Sequence, residues 1–288
     1  MQNQVGVPSK VHPLFFINYW TMHETITSVH NERVKRMILL QQRSAERNRT
    51  GRFVVEGARE VRQAADTAHL LHAIYYCPSI ASDEAAEVVA HATCEVFEVS
   101  PAVYARMAYR GTTEGIMAEA QQRNITLDDL RLGENPLLVV VESVEKPGNV
   151  GTILRSADAA AATAVILCDP RADKYNPNLI RSSIGAVFTV PCVCCTTEQC
   201  IAFLKEHGVR ILTAQLQDSL PYYDTEMRTA TALVFGTEST GLTQPWRDAA
   251  DAHLRIPMRG RLDSLNVATS VAILLFEAVR QRDAAALT

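Results

Sequence analysis

The sequence predicts an α/β protein in two parts, a smaller mixed domain followed by a mostly parallel sheet covered by helices on both sides. Three observations carry this. A polar stretch ending in Pro136, "ITLDDLRLGENP", divides the 288 residues. Beyond it, short β-branched runs alternate with helix-spaced segments, the pattern of strand–helix–strand units. Before it, helix and strand signals mix, with no internal repeat and no low-complexity tract.

In the first part a basic amphipathic helix over "VKRMILLQQRSAE" precedes "RFVVEGAREVRQAAD", a short strand running into another helix. "LHAIYYCP", "CEVFEVS" and "GIMAEA" are each short and apolar enough for a strand. In the second part "PLLVVVES" is a continuous apolar run, as expected of a strand buried on both faces. "NVGTILRSADAAAA" has Ile153, Leu154, Ala157 and Ala161 at helical spacing. "AVILCD" is a strand, "NPNLIRSSIGA" a helix with Pro177 in its first turn, and "VFTVPCV" a strand. "TEQCIAFLKEHG" is a helix stopped by Gly208. "VRILTAQL", "TALVFG" and "LRIPM" are strands, and a helix over Val267 to Arg282 follows.

Composition excludes several classes. With 47% hydrophobic and 21% charged residues the chain is globular, neither disordered nor fibrous. No apolar run approaches the roughly 20 residues that span a bilayer. The apolar patch from Leu14 to Trp20 is short, broken by Asn18, and lacks a small-x-small cleavage site. It is expected to be a tail, with Met22 an alternative start, on a cytoplasmic protein. The expected division is a tail over 1–24, a domain over 25–125, a linker over 126–136 and a domain over 137–285.

The net charge of −4 hides an asymmetry. Asn31 to Arg52 holds Arg33, Lys35, Arg36, Arg43, Arg47, Arg49 and Arg52 against Glu32 and Glu46, a net +5. A polyanion-binding face fits that charge, and so does the solvated side of an amphipathic helix. Two readings of "CVCCTTEQC" also stand side by side. One is a strand followed by a helix carrying a buried thiol; the other is a thiolate metal site from Cys192, Cys195 and Cys200. The absence of a second CxxC and of a suitably spaced histidine favours the first.

In parallel sheets ligands sit beyond the carboxyl ends of the strands, which directs attention to three loops. "EKPGNVGTILR" offers Gly148 and Gly151 for close backbone approach, a helix N-terminus, and Arg155. It is not the GxGxxG fingerprint, which counts against a nucleotide-binding oxidoreductase. "VFGTESTGL" places Glu238 two residues past a strand that ends at Gly236. "RIPMRGRLDSLN" leads into the last helix, with Ser264 a candidate N-cap and Leu265 packed at the entry.

Together, "NVGTILRSADA", "LVFGTESTGL" and "IPMRGRLDSLNVATSVAILLFEAVRQR" resemble the three motifs of the SpoU/TrmH family of RNA 2′-O-methyltransferases. The likeness covers Pro136 to Arg282 and includes "LIRSSIGAVFTVP". The first half is similar to the L30e-like substrate-binding domain of rRNA-directed members. The resemblance implies a C-terminal trefoil-knot (SPOUT) α/β domain and S-adenosyl-L-methionine held by Thr213, Gly236, Ile256, Leu265 and Asn266. It implies catalytic roles for Arg155, Asn149, Glu238, Ser264 and Asn266, and no metal. It further implies an RNA substrate, rRNA before tRNA, with a non-catalytic RNA-binding protein as the remaining alternative. A homodimer follows from the same likeness, with Val267, Val271, Leu274, Leu275 and Ala278 available for its interface or for the chain's own core. One departure is "AAAAT", where many members carry a glycine-containing turn.

Overall fold

The computed structural model describes residues 22–67, 69–109, 114–237 and 240–286. Each half of the chain forms its own sheet.

The first half runs β1 (Met22–Ile26), α1 (Glu32–Gln42), α2 (Ser44–Thr50), β2 (Arg52–Glu56), α3 (Ala58–Asp66), β3 (Leu71–Tyr76), α4 (Asp83–Ala90), β4 (Glu95–Val99), α5 (Pro101–Met107) and β5 (Ile116–Gln121). Its sheet has the order β1-β4-β3-β5-β2, parallel at its first two pairings and antiparallel around β5. The last three residues of the expected tail belong to β1, where Met22 pairs with Val96; positions 1–21 lie outside the described residues. The expected single basic helix is two helices, because Arg43 at the join is extended (φ −124°, ψ 113°). α1 and α5 bury Val34, Met37, Leu40, Val103, Tyr104 and Met107 on one face of the sheet.

The second half runs β6 (Leu137–Glu142), α6 (Pro147–Ala159), β7 (Ala164–Cys168), α7 (Pro177–Ser183), α8 (Ala186–Thr189), β8 (Cys192–Cys195), α9 (Thr197–Glu206), β9 (Arg210–Ala214), β10 (Leu220–Pro221), β11 (Thr231–Phe235), α10 (Gln244–Ala249), β12 (Ala252–Arg255) and α11 (Val267–Ala286). The order is β10-β12-β9-β11-β6-β7-β8 and every pairing is parallel. β6 is buried at every position, since α6, α7, α8 and α11 pack on one face and α9 and α10 on the other.

Two segments differ from expectation. The "VFT" of "VFTVPCV" is helical, in α8, and the strand starts only at Cys192. Ile184 and Gly185 take left-handed conformations (φ 51° and 82°) and turn the chain, so that Phe188 stacks on Phe53 of the small domain, centroids 6.1 Å apart. The strand expected over "LRIPM" ends at Arg255, leaving Ile256 to Met258 as irregular backbone.

The halves are joined by a shared core that includes Phe53, Tyr175 and Phe188. Arg47 crosses the same boundary. Its side chain is 2% exposed, pairs with Asp173 at 2.7 Å and donates to the Leu40 and Gln41 carbonyls. On α11, Val267, Val271, Leu274, Leu275 and Ala278 are all buried within this one chain. The interface expected from those five residues is therefore already occupied by the chain's own core.

Candidate active site

The first loop begins where β6 ends. Glu142, 3% exposed, closes that strand. It accepts hydrogen bonds from the Thr243 N–H (2.9 Å) and the Thr243 hydroxyl (2.6 Å), and at 3.2 Å it shares the Thr197 hydroxyl with Asp169, which lies nearer at 2.7 Å. The carboxylate thus fastens β6 to the starts of α9 and α10, and α10 closes the second loop. Its sequence signal was a lone acid at the end of the run "LLVVVE". Buried polar groups need such partners, and this one is fully engaged in positioning backbone.

α6 carries Asn149 in its first turn and Arg155 as its ninth residue. At 1.5 Å of rise per residue, Arg155 lies about 9 Å further along the axis than Asn149. It is exposed, whereas Asn149 is half-buried. Gly151 is required for packing and not for ligand approach: a Cβ there would lie 2.0 Å from Ser182 Oγ and 2.6 Å from the Leu179 carbonyl of α7. Gly148 keeps its space, with Asn178 Nδ2 at 3.7 Å from a notional Cβ.

The second loop is a closed turn. The Gly241 N–H donates to the Thr237 carbonyl (3.0 Å) and the Thr240 N–H to Thr237 Oγ1 (3.1 Å). Gly236 is obligatory, because a Cβ would meet the Gly241 carbonyl carbon at 2.2 Å. Glu238 lies outside the described residues.

The third loop meets the first. Asn266 Nδ2 donates to Asn149 Oδ1 at 3.2 Å across 117 positions of sequence. The same residue caps α11: its side-chain Oδ1 accepts from the Ala268 N–H (3.0 Å) and its backbone carbonyl from the Ser270 N–H (3.0 Å). Asn266, not Ser264, is therefore the helix cap. Ser264 is exposed and donates to Asp263 Oδ1 at 3.1 Å, because α11 starts two residues later than a cap at Ser264 would require.

Two clefts flank Asn266. One, of about 220 Å³, is lined by Ser143, Val144, Lys146, Asn149, Thr237 and Val267. The other, of about 160 Å³, holds Ala214, Ile256, Met258, Ser264 and Leu265. Thr213, fully buried beside this second cleft, hydrogen-bonds His253 Nδ1 through its hydroxyl at 2.6 Å, so it supports the floor and its hydroxyl already has a partner. Leu265 (37% exposed) and Leu262 (75% exposed) leave an apolar rim uncovered. The strand-end backbone and apolar walls suit an adenosine-bearing ligand, and the two clefts together approach the size of a small-molecule site.

The seven basic residues do not form one patch. Arg36 and Arg52 converge at 2.6 Å on Glu119, whose side chain is fully buried. Arg33 stacks over Phe97 at 4.1 Å, Lys35 pairs with Glu32, and Arg49 pairs with Glu46. Arg43 is exposed. Arg47, buried against Asp173, has no surface to offer RNA and leaves the set of expected contacts.

Comparison with known proteins matches this architecture. The model of the SpoU rRNA Methylase family covers residues 136–276, and an MRM3-like substrate binding domain covers 31–118. A crystal structure of an RNA 2′-O ribose methyltransferase is 35% identical, covering 90% of this chain and 99% of its own, with a TM-score of 0.81. The chain belongs to the SpoU rRNA methylase family. The AdoMet-bound rRNA methyltransferase from Sinorhizobium meliloti is 31% identical, covers 90% and 98% of the two chains, and has a TM-score of 0.82. The 23S rRNA (guanosine(2553)-2′-O)-methyltransferase RlmP of Bacillus subtilis is 28% identical over 254 residues, 87% of this chain and 97% of RlmP. In this family frame the three loops at the carboxyl ends of β6, β11 and β12 are the motif loops.

Proposed function

We propose that this protein transfers a methyl group from S-adenosyl-L-methionine to a ribose 2′-OH of ribosomal RNA. The observation that carries the reading is the Asn149–Asn266 hydrogen bond, which ties the first and third motif loops together between two clefts at the sheet's carboxyl edge. The family match and the AdoMet-bound relative support the cofactor, and the MRM3-like domain supports rRNA over tRNA.

The cofactor brings a methyl group already activated on a sulfonium. Backbone at Gly236, Ile256 and Leu265 would hold it, over the floor made by Thr213 and His253. The chain's remaining task is to place a weakly nucleophilic hydroxyl in line and to ease removal of its proton. Asn149 and Asn266 fix the loop that faces the acceptor, and Ser264 supplies a hydroxyl on its rim. Arg155, exposed on α6, orients the acceptor ribose through its phosphate, with Glu238 organising the guanidinium. An arginine stays protonated at neutral pH, so its part is to hold the acceptor oxygen and favour its anionic form.

On the same reading, domains span 25–125 and 137–285 with 126–136 as linker, the first extended back to β1. The exposed parts of Arg33, Lys35, Arg43 and Arg49 contribute salt-dependent RNA affinity, with Arg36 and Arg52 at their edge. The placement of β11 between β9 and β6, and of α11 against α6, supports a trefoil knot. Exposed Phe276 and Leu262 support a homodimer through the outer side of α11 and its loop. A cytoplasmic location is in keeping with cysteines that are all free; among the described residues no helix is long and apolar enough to cross a membrane.

The test is methylation of purified ribosomal RNA with labelled S-adenosylmethionine, followed by mapping of 2′-O-methyl groups. Label at one ribose supports the reading. Label on tRNA alone, on a base, or on nothing despite RNA binding counts against it.

A further inference from the structure

Outside the motif loops, the chain gathers a group of side chains that methyl transfer does not use. Cys168 ends β7 and Cys195 ends β8, and the two are direct partners across the parallel ladder. Partner residues in adjacent strands project to the same face of a sheet. Cys200 lies in the first turns of α9, the helix that covers that face. The three sulfur atoms all lie within 4.8 Å of one another. Strand register and helix packing bring about this convergence.

We infer that Cys168, Cys195 and Cys200 form a three-thiolate site for a soft divalent cation, zinc being the fitting ion. Zinc binds thiolate at about 2.3 Å, which places tetrahedral ligand sulfurs about 3.8 Å apart. The three sulfurs need to draw in by no more than about 1 Å from their present 4.8 Å limit. Cys168 and Cys200 are buried while Cys195 is half-exposed, so the fourth position opens toward solvent and takes water. The partners differ from the set suggested by the sequence: Cys192 is buried on its own, and Cys194 is exposed.

The site has a structural consequence. Cys168 neighbours Asp169, whose carboxylate accepts from the Thr197 N–H (3.1 Å) and hydroxyl (2.7 Å). The Cys168 carbonyl accepts from the Ser143 N–H at 2.9 Å, at the start of the first motif loop. A bound ion therefore pins the ends of β7, β8 and α9 one strand away from the candidate active site. Three sulfurs suit an ion better than a disulfide, which would use two and leave one.

The test uses the full chain, purified with chelator and reductant and then titrated with zinc alone under native mass spectrometry. Cobalt in parallel reports thiolate coordination by its charge-transfer and d–d absorption. One ion per chain is expected, weakened about tenfold or more in Cys195→Ser and unchanged in Cys194→Ser. Circular dichroism checks that the variant folds. Independently of any variant, zinc should slow alkylation of Cys195 relative to Cys194 in the unmutated protein, read by peptide mapping. No uptake at micromolar zinc, equal uptake by Cys195→Ser, or alkylation of Cys195 unaffected by zinc overturns the site. So does a mass loss of two hydrogens in air without metal uptake, which would make the group a disulfide.

Discussion

Replacing Arg47 with alanine separates two roles that the sequence alone left joined. As a phosphate contact, Arg47 would contribute to RNA binding and little to stability. The structure instead buries it at 2% exposure against Asp173 and gives it two backbone carbonyls. Breaking a buried pair by removing one partner costs about 3–5 kcal/mol, because the other charge is left uncompensated. Asp173 is itself 18% exposed, so water recovers part of that loss and the lower end, about 3 kcal/mol, applies. For a chain of this size that corresponds to a fall of roughly 6–12 °C in Tm. The assay is thermal unfolding of Arg47→Ala, Asp173→Ala and the double variant. The double variant should be less destabilised than the sum of the singles, since the pair is lost only once. RNA affinity measured below the variant's Tm should keep its salt slope, whereas loss of a phosphate contact would reduce it by about one. An unchanged Tm with a reduced salt slope would refute the interdomain role.

Other substitutions probe the remaining structure. Asn266→Ala removes both the α11 cap and the Asn149 bond; about 1–2 kcal/mol of stability should be lost, together with most methyl transfer, as measured by chemical denaturation and by turnover. Ala161 sits at φ 50° after α6, with the Ala162 N–H bonded to the Ala157 carbonyl and its own N–H to that of Asp158. This is a Schellman end built without glycine, so Ala161→Gly should raise stability by about 1 kcal/mol, seen as a higher Tm. His69 is held down to about 4, first by burial and then by Arg123 and Lys174. The unfolded chain binds that proton below about 6.5, so the stabilisation is complete above pH 6.5 and is lost as pH falls toward 4. His69→Phe should flatten the Tm profile in that window, and an unaltered acid slope would remove His69 from the explanation.

Much of the second domain was legible because a sheet covered on both faces needs uninterrupted apolar strands, and "LLVVV", "AVILC" and "TALVF" are such runs. The three motif loops were legible as a set, since each follows a strand end and carries residues that a turn alone does not require. What stayed hidden depends on distant partners. "VFT" has strand propensity, yet Phe188 is claimed by Phe53 in the other domain and the segment coils into α8. Ser264 satisfies the local rule for a cap, but α11 begins at Val267 and Asn266 takes that place. Gly151 was expected to face a ligand and faces α7. Arg47 is one of seven basic residues in sequence, and only its long-range pairing with Asp173 distinguishes it. Cys168, 27 residues before Cys195, joins Cys195 and Cys200 through strand register alone.

The most direct measurement is single-turnover methyl transfer by Arg155→Ala, made alongside calorimetric binding of S-adenosylmethionine. Transfer to the ribose 2′-OH should fall by about 10²-fold or more, with cofactor affinity within a few fold of the unmutated protein. Near-normal transfer in that variant, or an unmutated protein that binds both ligands and leaves the ribose unmethylated, would contradict the reading.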